Sequence, residues 1–177
     1  MRYASAIFFL GVLSVGSVQA ERADSDKPVH LESDRATVEN TGRSNSKDRI
    51  SVFTGNVVLT QGTLVIRSDK MVVNEDANGF KNMTAYGNLV SFRQKRDGMD
   101  EYIEGWGERM EYDSVADKIE LFNQARLKRG LDEVHGDYIS YNATTEFFQV
   151  NNGIKTKSNS RVRAVIQPKK KKKNLNP

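Results

Sequence analysis

Between Pro28 and Pro168 the apolar residues recur in short alternating runs, not in helical stripes. Val29-His30-Leu31, Leu64-Val65-Ile66 and Lys118-Ile119-Glu120-Leu121 are examples, separated by turn formers such as Thr41-Gly42, Asp76-Ala77-Asn78-Gly79 and Arg96-Asp97-Gly98. No stretch of about 12 residues or more carries the i, i+3, i+4, i+7 apolar spacing of an amphipathic helix. The three prolines, Pro28, Pro168 and Pro177, lie at or beyond the limits of this region. Proline removes a ladder donor and is excluded from central strands, so the region is free to form continuous sheet. The pattern predicts an all-β domain over residues 28–168 with many short strands. Residues 21–27 form a flexible lead and residues 169–177 a disordered, lysine-rich tail.

The strand runs contain an internal repeat. ESDRATV from Glu32, RSDKMVV from Arg67, WGERMEY from Trp106 and HGDYISY from His135 share one plan. Each places a small residue before an acid: Ser33-Asp34, Ser68-Asp69, Gly107-Glu108 and Gly136-Asp137. Side chains two and four residues after the acid are mostly apolar, so they share one sheet face. A second element follows each: FTGNVVL from Phe53, AYGNLVSF from Ala85, LFNQARL from Leu121 and, more weakly, VNNGIK from Val150. Successive acids are 35, 39 and 29 residues apart, so the turns vary while the strands keep step.

One repeat has too few apolar side chains to close a core, whereas stacked repeats make burial continuous. The inner column this predicts is Val29, Leu31, Ala36, Val38, Val57, Leu59, Leu64, Ile66, Met71, Val73, Leu89, Met110, Tyr112, Ile119, Leu121, Ala125, Leu127, Ile139 and Tyr141. Ile50 against Phe53, and Val90 with Phe92 against Leu89, break the alternation and read as bulges or edges. The first strand, Val29 to Val38, is blunted only by Pro28. The last run, Arg161 to Gln167, mixes charge with Val162, Val165 and Ile166. Pairing through these outer edges, end to end or onto a partner, is physically available unless a tail covers them.

Composition removes several function classes. The 177 residues include no Cys and two His, which excludes a disulfide framework, a thiolate zinc site and a cysteine nucleophile, and disfavours a histidine-built metal site. The formal charge of +4 depends on Arg2 and the run Lys169 to Lys173; without them, 21 basic side chains face 23 acidic ones. The body is near neutral and carries no nucleic-acid signature. Four acids in equivalent places could suggest a general acid and base. An acid beside a small residue more simply serves a bend through local hydrogen bonds. Gly105-Trp106-Gly107 lacks the following helix that a phosphate loop needs, and neither His30, expected to face solvent, nor His135 sits in a nucleophile context. No catalytic residue, metal or cofactor is expected.

At the amino end, Arg2, the apolar run Ile7 to Val15 and the small residues Val18 and Ala20 lay out a secretory signal peptide over residues 1–20, cleaved between Ala20 and Glu21. The alternative, a membrane anchor, needs about 20 apolar residues, longer than this run. The mature chain is therefore expected to be soluble and exported.

PVHLESDRATVE from Pro28 and FTGNVVLTQGTLVIRSDKMVV from Phe53 to Val73 resemble the amino-terminal signature of the OstA-like family of periplasmic lipopolysaccharide-transport proteins of Gram-negative bacteria. The likeness covers residues 28–168, including RVRAVIQP from Arg161, and rests most on the FTGNV, QGT and SDK combination. The resemblance implies an open, twisted antiparallel β jelly-roll, folded like a V, of about 16 strands. It further implies an apolar groove that carries lipid A acyl chains while the sugars stay outside. Protomers would join end to end, to an inner-membrane-anchored OstA-like partner and to an outer-membrane lipopolysaccharide assembly protein. By position the family's groove residues match Val29, Leu31 and the aromatic Phe92. Ser25 and Glu75 fall at further lipid-proximal positions, although Glu75 replaces a basic residue of the family. The candidate lipid-binding groove is therefore the inner column above without Ile119 and Ala125 and with Phe92. The lysine run is a solvated tail or an accessory contact to anionic lipid. Two other classes stay open: an exported structural or adhesive β-solenoid with a dry core, and a carbohydrate-active enzyme built on the repeated acids.

Overall fold

A computed structural model describes residues 24, 26–40, 48–96, 98–152 and 161–168. The signal peptide and its cleavage site, Ser25, the Thr41-Gly42 turn and the Lys169 to Lys173 run lie outside the described residues. The chain forms strands β1 (His30–Glu32), β2 (Arg35–Asn40), β3 (Arg49–Gln61), β4 (Leu64–Asp76), β5 (Gly79–Lys95), β6 (Tyr102–Asp113), β7 (Lys118–Arg129), β8 (Asp132–Asn142), β9 (Phe147–Asn151) and β10 (Arg163–Val165). They make one open sheet in the order β1-β3-β4-β5-β6-β7-β8-β10, with β2 beside β1 on β3 and β9 beside β10 on β8. Every pairing is antiparallel.

The six long strands are all creased near their middles. Their ladders slip between Thr54 and Val57, Arg67 and Lys70, Tyr86 and Val90, Trp106 and Arg109, and Phe122 and Ala125. Such bulges bend a strand and strengthen its twist. Because they fall side by side, the sheet folds along a line into two arms, the expected V. β1 and β10 extend one arm, and β2 and β9 extend the other. Counted by arm, the ten described strands make 16 segments, which reconciles about 16 short runs with ten continuous strands.

Three of the four repeated acids, Asp34, Asp69 and Glu108, bond at the crease in the bending role expected of them. Asn56 Nδ2 donates to Asp34 Oδ2 at 3.0 Å, and the Asp34 backbone N–H donates to the Gly55 carbonyl at 2.9 Å. The Asn88 backbone N–H donates to Asp69 Oδ2 at 3.0 Å. Glu108 accepts from Asn123 Nδ2 at 3.2 Å and Gln124 Nε2 at 2.6 Å. The donors belong to the second element of each repeat. Gly55, Asn56, Leu89, Asn123 and Gln124 there have φ of 80, 47, 86, 58 and 52°. Left-handed backbone costs most residues about 1–2 kcal/mol, and Asn tolerates it best after Gly. The repeat is therefore a corner: an acid on one strand holds the bulge of the next.

Register places one face of each arm inward. Leu31, Leu59, Ile66, Phe92, Gly105, Leu127 and Val134 lie opposite one another across successive strands of one arm. Ala36, Phe53, Met71, Ala85, Met110, Leu121, Ile139 and Val150 do so on the other. The rows meet between the arms, where Leu59, Ile66, Met71, Met110, Leu121 and Ile139 lose all contact with solvent. Burying each such side chain is worth about 1.5–3 kcal/mol, which substitutes for the missing disulfides. On the outer face Arg93, Arg109 and Arg126 lie over the rings of Tyr102, Phe122 and Trp106, at 3.7, 3.7 and 4.5 Å.

Three positions of the predicted column differ. Leu89 occupies the bulge with positive φ, which turns it outward to 45% exposure while Val90 takes the interior place. Ala36 and Val38 keep the inward-facing register opposite Phe53 and Ser51 but are exposed. They lie on an edge strand that the opposite arm does not cover. Met83, Ala85, Val90 and Ile103 are buried and were absent from the column.

Two substitutions test this arrangement. A Cβ on Gly55 would stand 2.3 Å from Asp34 Oδ2 on a backbone with φ of 80°. Gly55→Ala is expected to cost about 1–2 kcal/mol, a fall of roughly 3–6 °C in the midpoint of thermal unfolding. At Gly105 a Cβ would stand 2.1 Å from Phe92 Cε1 and 2.9 Å from Leu121 Cδ1 of the other arm. Gly105→Val is expected to destabilise by about 1–3 kcal/mol in urea unfolding, and an unchanged midpoint would show that the arms do not close over this residue.

Candidate functional site

The candidate groove is the space between the arms. In its middle Phe92 of β5 folds over Gly105 and stacks on Tyr141 of β8, with ring centroids 6.4 Å apart and planes 17° apart. Phe92 and Tyr141 lie on different arms, so this stack crosses the interior. Of the predicted groove residues, Val57, Leu59, Leu64, Ile66, Met71, Val73, Phe92, Met110, Tyr112, Leu121, Leu127, Ile139 and Tyr141 are brought together there and buried. Val29 and Leu31 are half-buried against this cluster at one end. Ala36 and Val38 are exposed on the other arm, and Leu89 is outside. Ile119 and Ala125, set apart from the groove, are as buried as the rest.

The two ends are not sealed. At the β1/β2 end, Val38 is 57% exposed on one arm, and Leu31 and Val29 are only partly covered on the other. At the β9/β10 end, Leu127, Val134, Phe148, Val165 and Ile166 line an open pocket of about 190 Å³. Apolar side chains thus run from one exposed edge to the other through a buried middle.

The long side away from the crease is polar. A cavity of about 260 Å³ lies between the tips of the arms, with Leu64, Gln94 and Arg96 on one and Tyr112, Asp117 and Thr144 on the other. Arg96 crosses it: Nη2 lies 2.6 Å from Glu146 Oε2, and Nε donates to Glu146 Oε1 at 3.0 Å. The Arg96 hydrogen bonds hold the Glu146 carboxyl below its ordinary range, and Glu146 in turn raises the Arg96 guanidinium. Asp24 of the amino-terminal lead accepts from the Thr63 backbone N–H at 2.9 Å and from Thr63 Oγ1 at 2.5 Å. Burial, followed by the charges of Asp117 and Asp24, pushes the Tyr112 phenol far up. Burial also raises the Asp117 carboxyl.

Other candidate chemistry is already engaged. Glu75 pairs with Arg49 of the neighbouring strand, so the acid standing at a basic family position is neutralised within the sheet. On the outer face Arg126 grips Glu133 through Nε at 2.5 Å and Nη2 at 2.9 Å, and His135 Nε2 lies 2.6 Å from the same carboxylate. The Arg126 hydrogen bonds keep the Glu133 carboxyl below its ordinary range. Among the described residues no group of three or more His, Asp or Glu could hold a metal ion. Sequence reasoning missed Arg96 and Glu146, which occupy turns of unrelated repeats; the only local mark, the φ of 53° at Glu146, belongs to the structure.

Comparison with known proteins agrees with this geometry. In a search of solved structures, the crystal structure of LptH, the LptA-homologous periplasmic component of the lipopolysaccharide transport device of Pseudomonas aeruginosa, superposes with a TM-score of 0.72. That match covers 82% of this chain and 99% of LptH at 21% identity, and it shows that the folds agree. By sequence, the lipopolysaccharide export system protein LptA of Escherichia coli K12 is 33% identical over 124 residues, 69% of this chain. The chain spans 63% of the length of that relative. LptA of Haemophilus influenzae is 29% identical over 170 residues, covering 93% of this chain and 92% of its own. LptH of Pseudomonas aeruginosa is 26% identical over 155 residues, covering 84% of each. Residues 30–147 match the model of the family described as LptA/(LptD N-terminal domain) LPS transport protein, and the chain belongs to that family.

Proposed function

We propose that this chain is a periplasmic carrier that holds lipopolysaccharide by its lipid A acyl chains between the two arms and assists its transit from the inner to the outer membrane. The observation that carries the reading is the inward apolar face, which runs from the exposed Ala36 and Val38 to the open pocket at Phe148 and Ile166. A core whose only task is stability has no use for open ends, because each exposed apolar group forgoes burial. An acyl chain gains about 0.8 kcal/mol for each CH₂ removed from water, so a path with similar walls along its length lets it move without exposure. The sugars stay in solvent, and the drive for movement comes from outside this chain.

Continuity of the path calls for end-to-end joining. The outer backbone edges of β1/β2 and of β9/β10, which pair with no further strand among the described residues, suit it, as each can add a strand from a neighbour. The partners of this reading are further copies of the chain, an inner-membrane-anchored OstA-like protein and an outer-membrane lipopolysaccharide assembly protein. Nucleic acid has no place in it. The structural solenoid remains the second reading, favoured by the filled middle of the interior. An enzyme on the repeated acids finds less support, since Asp34, Asp69 and Glu108 are spent on the corners.

Native mass spectrometry of the mature chain with intact and with chemically deacylated lipopolysaccharide separates these readings. Binding to the intact form alone is expected. Equal binding to both would move recognition to sugar or phosphate, and no binding would favour the solenoid. The charged variant for this test is Leu31→Asp, on a half-covered edge strand; it is expected to weaken binding at least about tenfold while the chain still folds. Ile66 is unsuitable for that purpose, since it has no exposed surface and a charge there would unfold the arms.

A further inference from the structure

The middle of the interior is filled by its own side chains, so an acyl chain can enter only if the arms separate there. The crease is the held side, because Asp34, Asp69 and Glu108 tie its bends to the neighbouring bulges. The free side is the line of turn tips opposite. Arg96 stands there at the end of β5, anchored on its own arm by Glu101, whose Oε2 is 2.7 Å from Nη1. Its remaining nitrogens reach the other arm and grip Glu146 with two bonds, the forked geometry in which guanidinium and carboxylate pair most strongly. The Arg96 side chain is only 10% exposed and that of Glu146 31%, so the pair is partly shielded from screening. Glu146 holds a left-handed φ of 53° just before β9, a conformation unfavourable for glutamate that persists where the surroundings impose it. Behind the pair lie the polar cavity and, along its rim, Asp24 on Thr63.

We propose that the Arg96–Glu146 ion pair is a reversible clasp across the mouth of the V, which sets how often the arms part and hence how fast an acyl chain is admitted from the side. The admission step rests on the carrier reading above; the control of arm opening does not. An ion pair suits a clasp better than an apolar contact. It binds through few atoms at defined angles, and its two charges are re-solvated when it opens into the water of the mouth. It also differs from the other ion pairs described here, such as Arg49–Glu75 and Arg126–Glu133, which join neighbouring strands and close nothing.

The test uses the full mature chain and three single variants: Arg96→Gln, Glu146→Gln and Glu101→Gln. The last removes only the contact within one arm and serves as the control. Hydrogen exchange of the lipid-free protein is followed by mass spectrometry at the tips around Tyr112 and Tyr141, and the association rate of fluorescent lipopolysaccharide is followed by stopped flow. Arg96→Gln and Glu146→Gln are expected to raise both rates about tenfold, and Glu101→Gln by much less. Unchanged exchange at the tips in both cross-arm variants would overturn the clasp. Faster exchange with an unchanged lipid rate would overturn its role in admission, and failure of the unaltered chain to take up lipopolysaccharide would overturn the carrier reading and that role together. Because the chain has no cysteine, Gln94→Cys with Thr144→Cys provides a second measurement that does not weaken the clasp. Bridging these two mouth residues with a cleavable bifunctional thiol reagent is expected to block uptake, and reduction to restore it. Full uptake by the bridged protein would overturn lateral admission.

Discussion

Everything in this molecule depends on bulges that stand in line across five successive ladders. A single bulge only kinks a strand, but a row of them creases a sheet. The crease lets one sheet supply both walls of its own core, so the protein needs neither helices nor a second sheet. What keeps the row in line is electrostatic as well as steric. At three places an acid at the bend of one strand, Asp34, Asp69 or Glu108, accepts hydrogen bonds from the bulge of the next, which ties the two bends together. Loss of one corner would shift a ladder and move every later side chain on that strand to the wrong face.

A creased open sheet has three kinds of boundary, and the side chains treat each differently. The crease is held by acids and amides at fixed distances. Among the described residues the ends are left apolar and without a further strand, which is costly for a chain standing alone. The mouth is polar and is bridged, among the described residues, by the forked Arg96–Glu146 ion pair. Between these boundaries the interior is dense. In the carrier reading proposed above, loading is a matter of moving arms, and the stability of the packed state opposes it.

Much of this was legible in the residues. The repeat of small residue and acid located the bends, but of the bulges that face them only the one at Leu89 showed in the alternation; those at Gly55-Asn56 and Asn123-Gln124 did not. Alternation placed Leu59, Ile66, Met71, Met110, Leu121 and Ile139 inside, where they are. It failed at Leu89 because a bulge adds a residue and reverses parity, so Val90 points inward instead. It was right about the facing of Ala36 and Val38 and silent about their cover, since exposure on an edge strand depends on the reach of the other arm. Arg96 and Glu146 carried no signal, being 50 residues apart in turns of different repeats.

By itself the sequence determined the class of fold, the face of most strands, the positions of the bends and the family likeness, because each of these follows from local alternation and from residues repeated at set offsets. Only the tertiary structure decided which strands are continuous, which inward residues are covered, and which turn tips meet across the mouth. The physical reason is the crease itself. It brings together segments of the two arms that no local spacing relates, and the angle at which they close is set by the sum of all the corners.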